Sequence, residues 1–216
     1  MNKTISSPPS DWILYQDDDI ILINKPSGLL SVPGKSEQHK TCALSHIQQT
    51  HADALIVHRL DMDTSGIMLL ARNKASHRAL SIQFQDRQVD KTYYALCCGH
   101  ANLRHGSIQL PMRCDWDRRP RQIIDFNFGR YAQTHWRILD QFDHHFSVQL
   151  TPITGRSHQL RLHMKSIGHP ILGDNLYADQ KSINSVDRLM LHAGELNFTH
   201  PTKHTKMQII SPAPFL

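Results

Sequence analysis

Residues 58–66 read HRLDMDTSG, with His58, Arg59, Asp61 and Asp63 packed into six positions between two apolar runs, 55–57 and 67–71. Short aliphatic runs bounded by polar clusters are expected as strands. The stretch is therefore a charged loop between two strands, and Gly66 is expected as a turn residue that tolerates positive φ. Two readings of the loop follow. Either one carboxylate does chemistry, or Arg59 and Asp61 form a solvated ion pair of the kind that contributes little. An aspartic-protease half-site does not fit, because DTSG carries one residue more than Asp-Thr-Gly or Asp-Ser-Gly. A glycosidase pair does not fit either. Asp61 and Asp63 are too close in sequence to flank a sugar bond, and no second acidic cluster follows.

Outward from this loop the pattern alternates between strands and a few helices. Residues 20–24 read as a buried strand that ends at Pro26 and Gly28, and 41–50 as a short helix. Residues 74–86 read as a helix with Ala75, Ala79, Ile82 and Phe84 near its apolar side. Strands are expected at 91–99, 106–110, 131–139, 145–151, 188–192, 195–199 and 206–210. In 153–170, Leu160, Met164 and Ile167 form a helical core stripe that Gly168 and Pro170 terminate. Gly155, Arg156 and Ser157 are expected to open that helix, where free N–H groups favour an anion. His158, Arg161 and Lys165 fall off the stripe, and spacing alone makes them a solvated basic face. Strands dominate, so the fold class is α+β on a largely antiparallel or mixed sheet.

At 216 residues the chain can bury a substantial core, as one domain or as one domain with two lobes. No run of eighteen apolar residues exists, which excludes a membrane-spanning helix on sequence grounds. The opening MNKTISSPPSDW has no apolar core or cleavage signature, so the expected compartment is the cytoplasm. Lys and Arg number 24 against 19 Asp and Glu, a formal charge of +5. That tilts toward a polyanionic partner without requiring one. Cys42, Cys97, Cys98 and Cys114 contain no CxxC, and the 16 histidines show no HxxxH or HExxH on one helix face. Neither a disulfide framework nor a metal site is expected.

HRLDMDTSG resembles the HRLDxxTSG signature of the RluA family of RNA pseudouridine synthases. NKPSG (24–28), KTYYA (91–95), GRSHQLRLH (155–163) and GHPILGDNLY (168–177) resemble further motifs of that family, in the family's order. The resemblance covers about residues 14–211. It implies an α+β catalytic domain spanning 1–216, with a mixed, mostly antiparallel central sheet, flanking helices and a central RNA cleft. Many relatives carry an additional S4 RNA-binding domain. The 57 residues before His58 leave no room for one, which is similar to the family's compact, dual-specificity members. The expected activity is isomerisation of uridine to pseudouridine in a 23S rRNA hairpin loop and in tRNA anticodon stem-loops. No cofactor or metal is implied, and a monomer without membrane attachment is expected. Another member without an S4 domain acting on a different RNA, or a catalytically silent RNA-binding protein, are the alternatives.

Carried over by position, the resemblance makes Asp61 the catalytic carboxylate, as nucleophile or as stabiliser and base. Tyr93 becomes the aromatic that stacks on the target base, where the bland reading is a half-buried strand tyrosine. Arg161 becomes the cationic partner of Asp61, against a surface arginine. Arg59, which can stack on bases and bind phosphate, joins His58, Lys25, Arg156 and His158 as RNA-binding residues. The loop CDWDRRPRQ (114–122) adds Arg118, Arg119 and Arg121 beside Trp116, a composition suited to single-stranded RNA. Asp63 falls at a variable position and receives no role.

Overall fold

The apolar runs on either side of Asp61 do become strands. The structure, a computed structural model, describes residues 12–34, 36 and 40–216. In chain order the first elements are β1 (Ile13–Gln16), β2 (Ile20–Lys25), α1 (Ala43–Ile47), β3 (Leu55–Ile56), β4 (Ser65–Ala71) and α2 (Lys74–Gln85). Next come β5 (Asp90–Cys98), β6 (His105–Gln109), β7 (Met112–Cys114), β8 (Gln122–Ile124), β9 (Gln133–Gln141) and β10 (His145–Pro152). The chain closes with α3 (Gln159–Ser166), α4 (Gln180–Asn184), β11 (Leu191–Thr199) and β12 (Lys206–Ile210). It folds as two compact units, one of residues up to 90 with 193–211, the other of 91–192 with 212–216.

In the first unit the strand order is β1-β2-β4-β11, with β12 on β11 and β3 on β4. β2 and β4 are antiparallel, and their register sets Lys25 opposite Gly66. That pairing brings the loop after β2 beside the loop before β4. β4 is buried along its whole length, as expected of a continuous aliphatic strand covered on both faces. Its core partners include Ile20, Leu22, Leu80 and Phe198. Gly66 has φ +113, but it lies within β4 rather than in a turn. A Cβ there would sit 2.3 Å from the Ala193 carbonyl oxygen, so close strand packing is what demands glycine.

α2 corrects the expected stripe in part, since Phe84 packs against the core as expected. Its buried positions are Ser76, Leu80 and Gln83, while Ala75 and Ile82 face solvent. Polar groups win the inward face because each has a partner. Ser76 Oγ donates to Asp19, and the Gln83 amide exchanges two hydrogen bonds with the Thr199 backbone (2.8 and 2.9 Å). Asp17, Asp19 and His200 converge within 4.8 Å in the same unit. The two carboxylates accept from Tyr15, Lys203, Asn73, Ser76 and Thr202. This network ties the β1–β2 turn to the segment between β11 and β12.

In the second unit the order is β5-β10-β9-β6, all antiparallel, with β7 and β8 as a separate antiparallel ribbon. The core is formed by Ala95, Cys97, Phe146, Val148 and Leu150 from the sheet and Leu160 and Met164 from α3. α3 begins at Gln159, with His158 before it in the left-handed conformation (φ 54°, ψ 18°). Gly155, Arg156 and Ser157 thus precede the helix instead of opening it. Gln159 explains the late start. Its buried amide accepts from Thr154 Oγ1 and the Arg156 N–H and donates to the Gln133 carbonyl. The basic-face reading of α3 is corrected at Arg161, which is buried with every other residue from Gln159 to Met164, whereas Lys165 is exposed as expected and His158 is half-buried. Among the described residues, no helix is long and apolar enough to cross a membrane.

Candidate active site

Asp61 sits in the loop between β3 and β4, half-buried between buried Leu60 and exposed Met62. Three side chains from the end of β2 and the segment after it hold this loop by its backbone. Ser31 Oγ donates to the Leu60 carbonyl (2.7 Å) and accepts the Leu60 N–H (3.0 Å). Ser27 Oγ donates to the Asp63 carbonyl at 2.6 Å. Lys25, 0% exposed, donates to the carbonyls of Met62 (3.0 Å), Leu29 (2.7 Å) and Pro26 (2.8 Å). A buried ammonium is tolerated only when such acceptors replace its water. The expectation for Lys25 is therefore revised. With no exposed surface its side chain faces these carbonyls and holds the loop rather than reaching outward.

His58 is likewise turned inward. Its Nε2 accepts the Leu69 N–H (2.9 Å), and its ring stacks on Phe84 with centroids 4.6 Å apart. Both interactions fasten the start of the loop to β4 and α2. Arg59 is exposed. The resulting loop presents a cation and a carboxylate two residues apart on a backbone pinned at Leu60, Met62 and Asp63.

The second unit carries Tyr93 and Arg161. Tyr93 lies on β5 opposite Leu150 of β10, half-buried on the face shared by Ala95 and Cys97. Arg161, 2% exposed, grips Asp174 with two prongs, Nε to Oδ2 (2.9 Å) and Nη2 to Oδ1 (2.7 Å). Nη2 also donates to Asn175 Oδ1 (3.2 Å), and the guanidinium carbon lies 5.5 Å from the Tyr177 ring centre. A side-on fork of this kind fixes the guanidinium plane. Asp174 is itself held by the N–H groups of Leu176 and Tyr177. Tyr177 Oη accepts the Gln122 N–H (2.7 Å) and meets His158 Nδ1 at 2.9 Å.

The arginine loop lies between β7 and β8. Arg118 pairs with Asp115 (2.9 Å), and the Arg119 guanidinium lies 3.9 Å from the centre of the exposed Trp116 ring. Arg118 and Arg121, with Lys165 and Tyr177, line a cavity of about 620 Å³. Arg156 Nε donates to the Tyr131 carbonyl (3.2 Å). Ser27, Ser31, Asp174 and Tyr177 received no role from the sequence. All four lie within or beside the motifs NKPSG and GHPILGDNLY, and that was the signal available for them.

Residues 19–166 match the family described as RNA pseudouridylate synthase. The chain belongs to the RNA pseudouridylate synthase family. It is 46% identical over 216 residues to "Dual-specificity RNA pseudouridine synthase RluA" of Escherichia coli K12, covering 99% of each chain. It is 45% identical to the protein of that name from Vibrio cholerae, covering 100% of this chain and 89% of the relative. Among solved structures it resembles "Human RNA Pseudouridylate Synthase Domain Containing 1", with TM-score 0.80 and 28% identity over 98% of this chain and 88% of that one. "Human RNA Pseudouridylate Synthase Domain Containing 4" follows at TM-score 0.73 and 26% identity, over 94% and 88%. The α+β architecture is thus that of a pseudouridine synthase domain, and the enzyme is an isomerase acting on uridine in RNA.

Proposed function

We propose that this synthase modifies two RNA classes, a 23S rRNA hairpin loop and the anticodon stem-loop of tRNAs. The observation that carries this reading is its likeness, over nearly the full length of both chains, to the dual-specificity enzyme of E. coli. The reaction breaks the N1–C1′ bond of uridine, turns the uracil and rejoins it through C5, which gives up its proton while N1 takes one up. No atom group enters or leaves and no oxidation state changes overall, so neither a metal nor an organic cofactor is needed. We place the enzyme in the cytoplasm, working as a monomer.

In this reading Asp61 is the reacting carboxylate, attacking the sugar or stabilising it as the base departs. The loop that bears it, pinned by Lys25, Ser27 and Ser31, supplies the fixed geometry that such a step demands. Tyr93 stacks on the target base and Arg161 serves as the carboxylate's cationic partner. Arg59 occupies the space that the flipped nucleotide leaves, because a uridine inside a stack must be extruded before its sugar can be reached. Arg118, Arg119, Arg121, Arg156 and His158 contact the RNA around it. The test is to incubate the protein with total RNA and map pseudouridines by carbodiimide-dependent primer-extension stops. Stops in one 23S rRNA loop and in tRNA anticodon arms are expected. Stops in one class alone would remove dual specificity, and none at all would remove the isomerase reading.

A further inference from the structure

Residues 125–129, DFNFG, form a tight turn directly after β8. Asp125 Oδ1 accepts the N–H groups of Asn127 and Phe128, both at 2.9 Å, and the Gly129 N–H returns to the Asp125 carbonyl at 2.9 Å. Arg113 Nε donates to Asp125 Oδ2. The base of the turn is tied down by Asp125 N–H to the Pro111 carbonyl (3.0 Å) and by two reciprocal bonds between Met112 and Arg130 (3.0 and 2.9 Å). Position 129 must be glycine, because a Cβ would lie 2.2 Å from the Asp125 carbonyl oxygen and 2.8 Å from Met112 N.

At the tip of this braced turn stand Phe126 and Phe128, 76% and 80% exposed. Single apolar residues on a surface need no explanation, but adjacent bare rings on a rigid mount mark an interaction site. Tyr131, close behind them in the chain, is also exposed. A ligand meeting rings carried on a backbone already held in place avoids the cost of ordering that backbone.

The surroundings select the ligand. Residues 113–131 contain Arg113, Arg118, Arg119, Arg121 and Arg130 against Asp115, Asp117 and Asp125. Two of those carboxylates are already paired, Asp115 with Arg118 and Asp125 with Arg113. The three-residue ribbon of β7 and β8 places the arginine loop at one end and the aromatic turn at the other, about 10 Å apart at strand rise. Cations beside open aromatic faces match a chain of phosphates carrying unpaired bases, the composition of single-stranded RNA sites. We infer that Phe126 and Phe128 stack on unpaired loop bases of the substrate RNA other than the target uridine. The turn thereby helps to choose which loops are modified. This inference rests on the RNA-isomerase reading above.

The test compares the wild type with the F126S/F128S double variant, using a stem-loop RNA whose loop bases are replaced singly by 2-aminopurine. Both side chains are exposed, so the variant is expected to keep the wild-type melting temperature. Its Kd should rise by about tenfold for each stack lost, the scale of base–aromatic stacking, and KM should rise in step. The 2-aminopurine emission quenched on wild-type binding should recover at one or two loop positions. The slope of log Kd against log salt should not change, because no phosphate contact is removed. The F126Y/F128Y variant, which keeps both π-faces, should bind like the wild type. Unchanged Kd and quenching in the serine variant would overturn the inference, as would an equal loss of affinity in the tyrosine variant. So would altered self-association with unchanged RNA affinity, which would make the turn a contact between copies. Failure of the wild type to form pseudouridine would refute the isomerase reading instead, since stacking is read by binding and fluorescence alone.

Discussion

The ammonium of Lys25 donates to the carbonyl oxygen of Met62 at 3.0 Å, one residue beyond Asp61. Two further carbonyls, Pro26 and Leu29, receive the same nitrogen. Lys25→Met would leave these acceptors buried without their donor, at about 1–3 kcal/mol for each strong bond lost. The expected result is a protein about 3 kcal/mol less stable in urea, with single-turnover rate reduced more than RNA affinity. Unchanged rate at full RNA saturation would separate the loop's anchoring from the chemistry. Ser31→Ala, which removes both bonds to Leu60, should act in the same direction with a smaller effect.

Asp61→Asn preserves the shape of the loop and removes its carboxylate charge. If Asp61 reacts, pseudouridine formation measured by tritium release from 5-labelled uridine should fall by several orders of magnitude. That corresponds to about 5 kcal/mol or more of barrier. RNA affinity and melting temperature should stay near the wild-type values. Asp63→Asn serves as the control and should retain turnover.

The buried Arg161–Asp174 pair makes a separate prediction about stability. Arg161→Met strands a fully buried carboxylate, a loss of about 3–5 kcal/mol, and should also cut turnover strongly. Arg161→Lys keeps the charge but cannot reproduce the two-pronged hold, so it should recover only part of each. Chemical denaturation read beside single-turnover kinetics distinguishes the two effects. A lysine variant with full activity would show that the planar fork does not matter to catalysis.

Acid should destabilise the protein in two windows. Burial pushes the His163 imidazole below its ordinary value of 6.5. The unfolded chain then takes up a proton that the folded one refuses, and stability falls as pH drops below about 6.5. Burial raises the Asp17 carboxyl, but hydrogen bonds from Lys203, the Asp19 N–H, His200 and Tyr15 outweigh it and hold the group well below the usual 3.8. Hydrogen bonds from Thr202, Asn73 and Ser76 lower Asp19 as well. Both depressed carboxylates contribute stability that is complete above about pH 3.8 and lost as pH falls through their folded values. Melting temperatures measured from pH 8 to pH 2.5 should show both declines, and Asp17→Asn should flatten the lower one.

Much of this was legible in the sequence because strands announce themselves by short apolar runs. Nearly every expected strand appears, and 188–192 and 195–199 merge into β11. The site was legible as motifs, less so as roles. α2 and α3 show why. Their buried faces carry Ser76, Gln83, Arg161 and His163, each satisfied by a partner distant in sequence that hydrophobic periodicity cannot register. Lys25 illustrates the same limit. A lysine in a motif reads as a cation for phosphate, and only the fold reveals three carbonyls around it. β7 and β8, three residues each, are too short for any periodic signal.

The final prediction concerns how little RNA the enzyme needs. Two RNAs of different overall shape share only a local element, and splayed loop bases supply one that can be read on their edges. Unstacking costs a few kcal/mol and is least expensive where pairing is already absent. An isolated anticodon stem-loop of roughly 15–20 nucleotides, comparable to the ~16 bp spanned by a small RNA-binding domain, should therefore be a full substrate. A 23S rRNA hairpin of similar size should compete for the same site. If the arginine loop contacts the RNA as proposed, each of its phosphate contacts should add about 0.7 to the log–log salt slope. Arg118 already pairs with Asp115, so Arg119→Gln and Arg121→Gln should flatten the slope more than Arg118→Gln. Filter binding from 50 to 300 mM salt, about the range in which such slopes are read, measures all three. A requirement for intact tRNA or an assembled ribosomal particle would show that recognition extends beyond the loop.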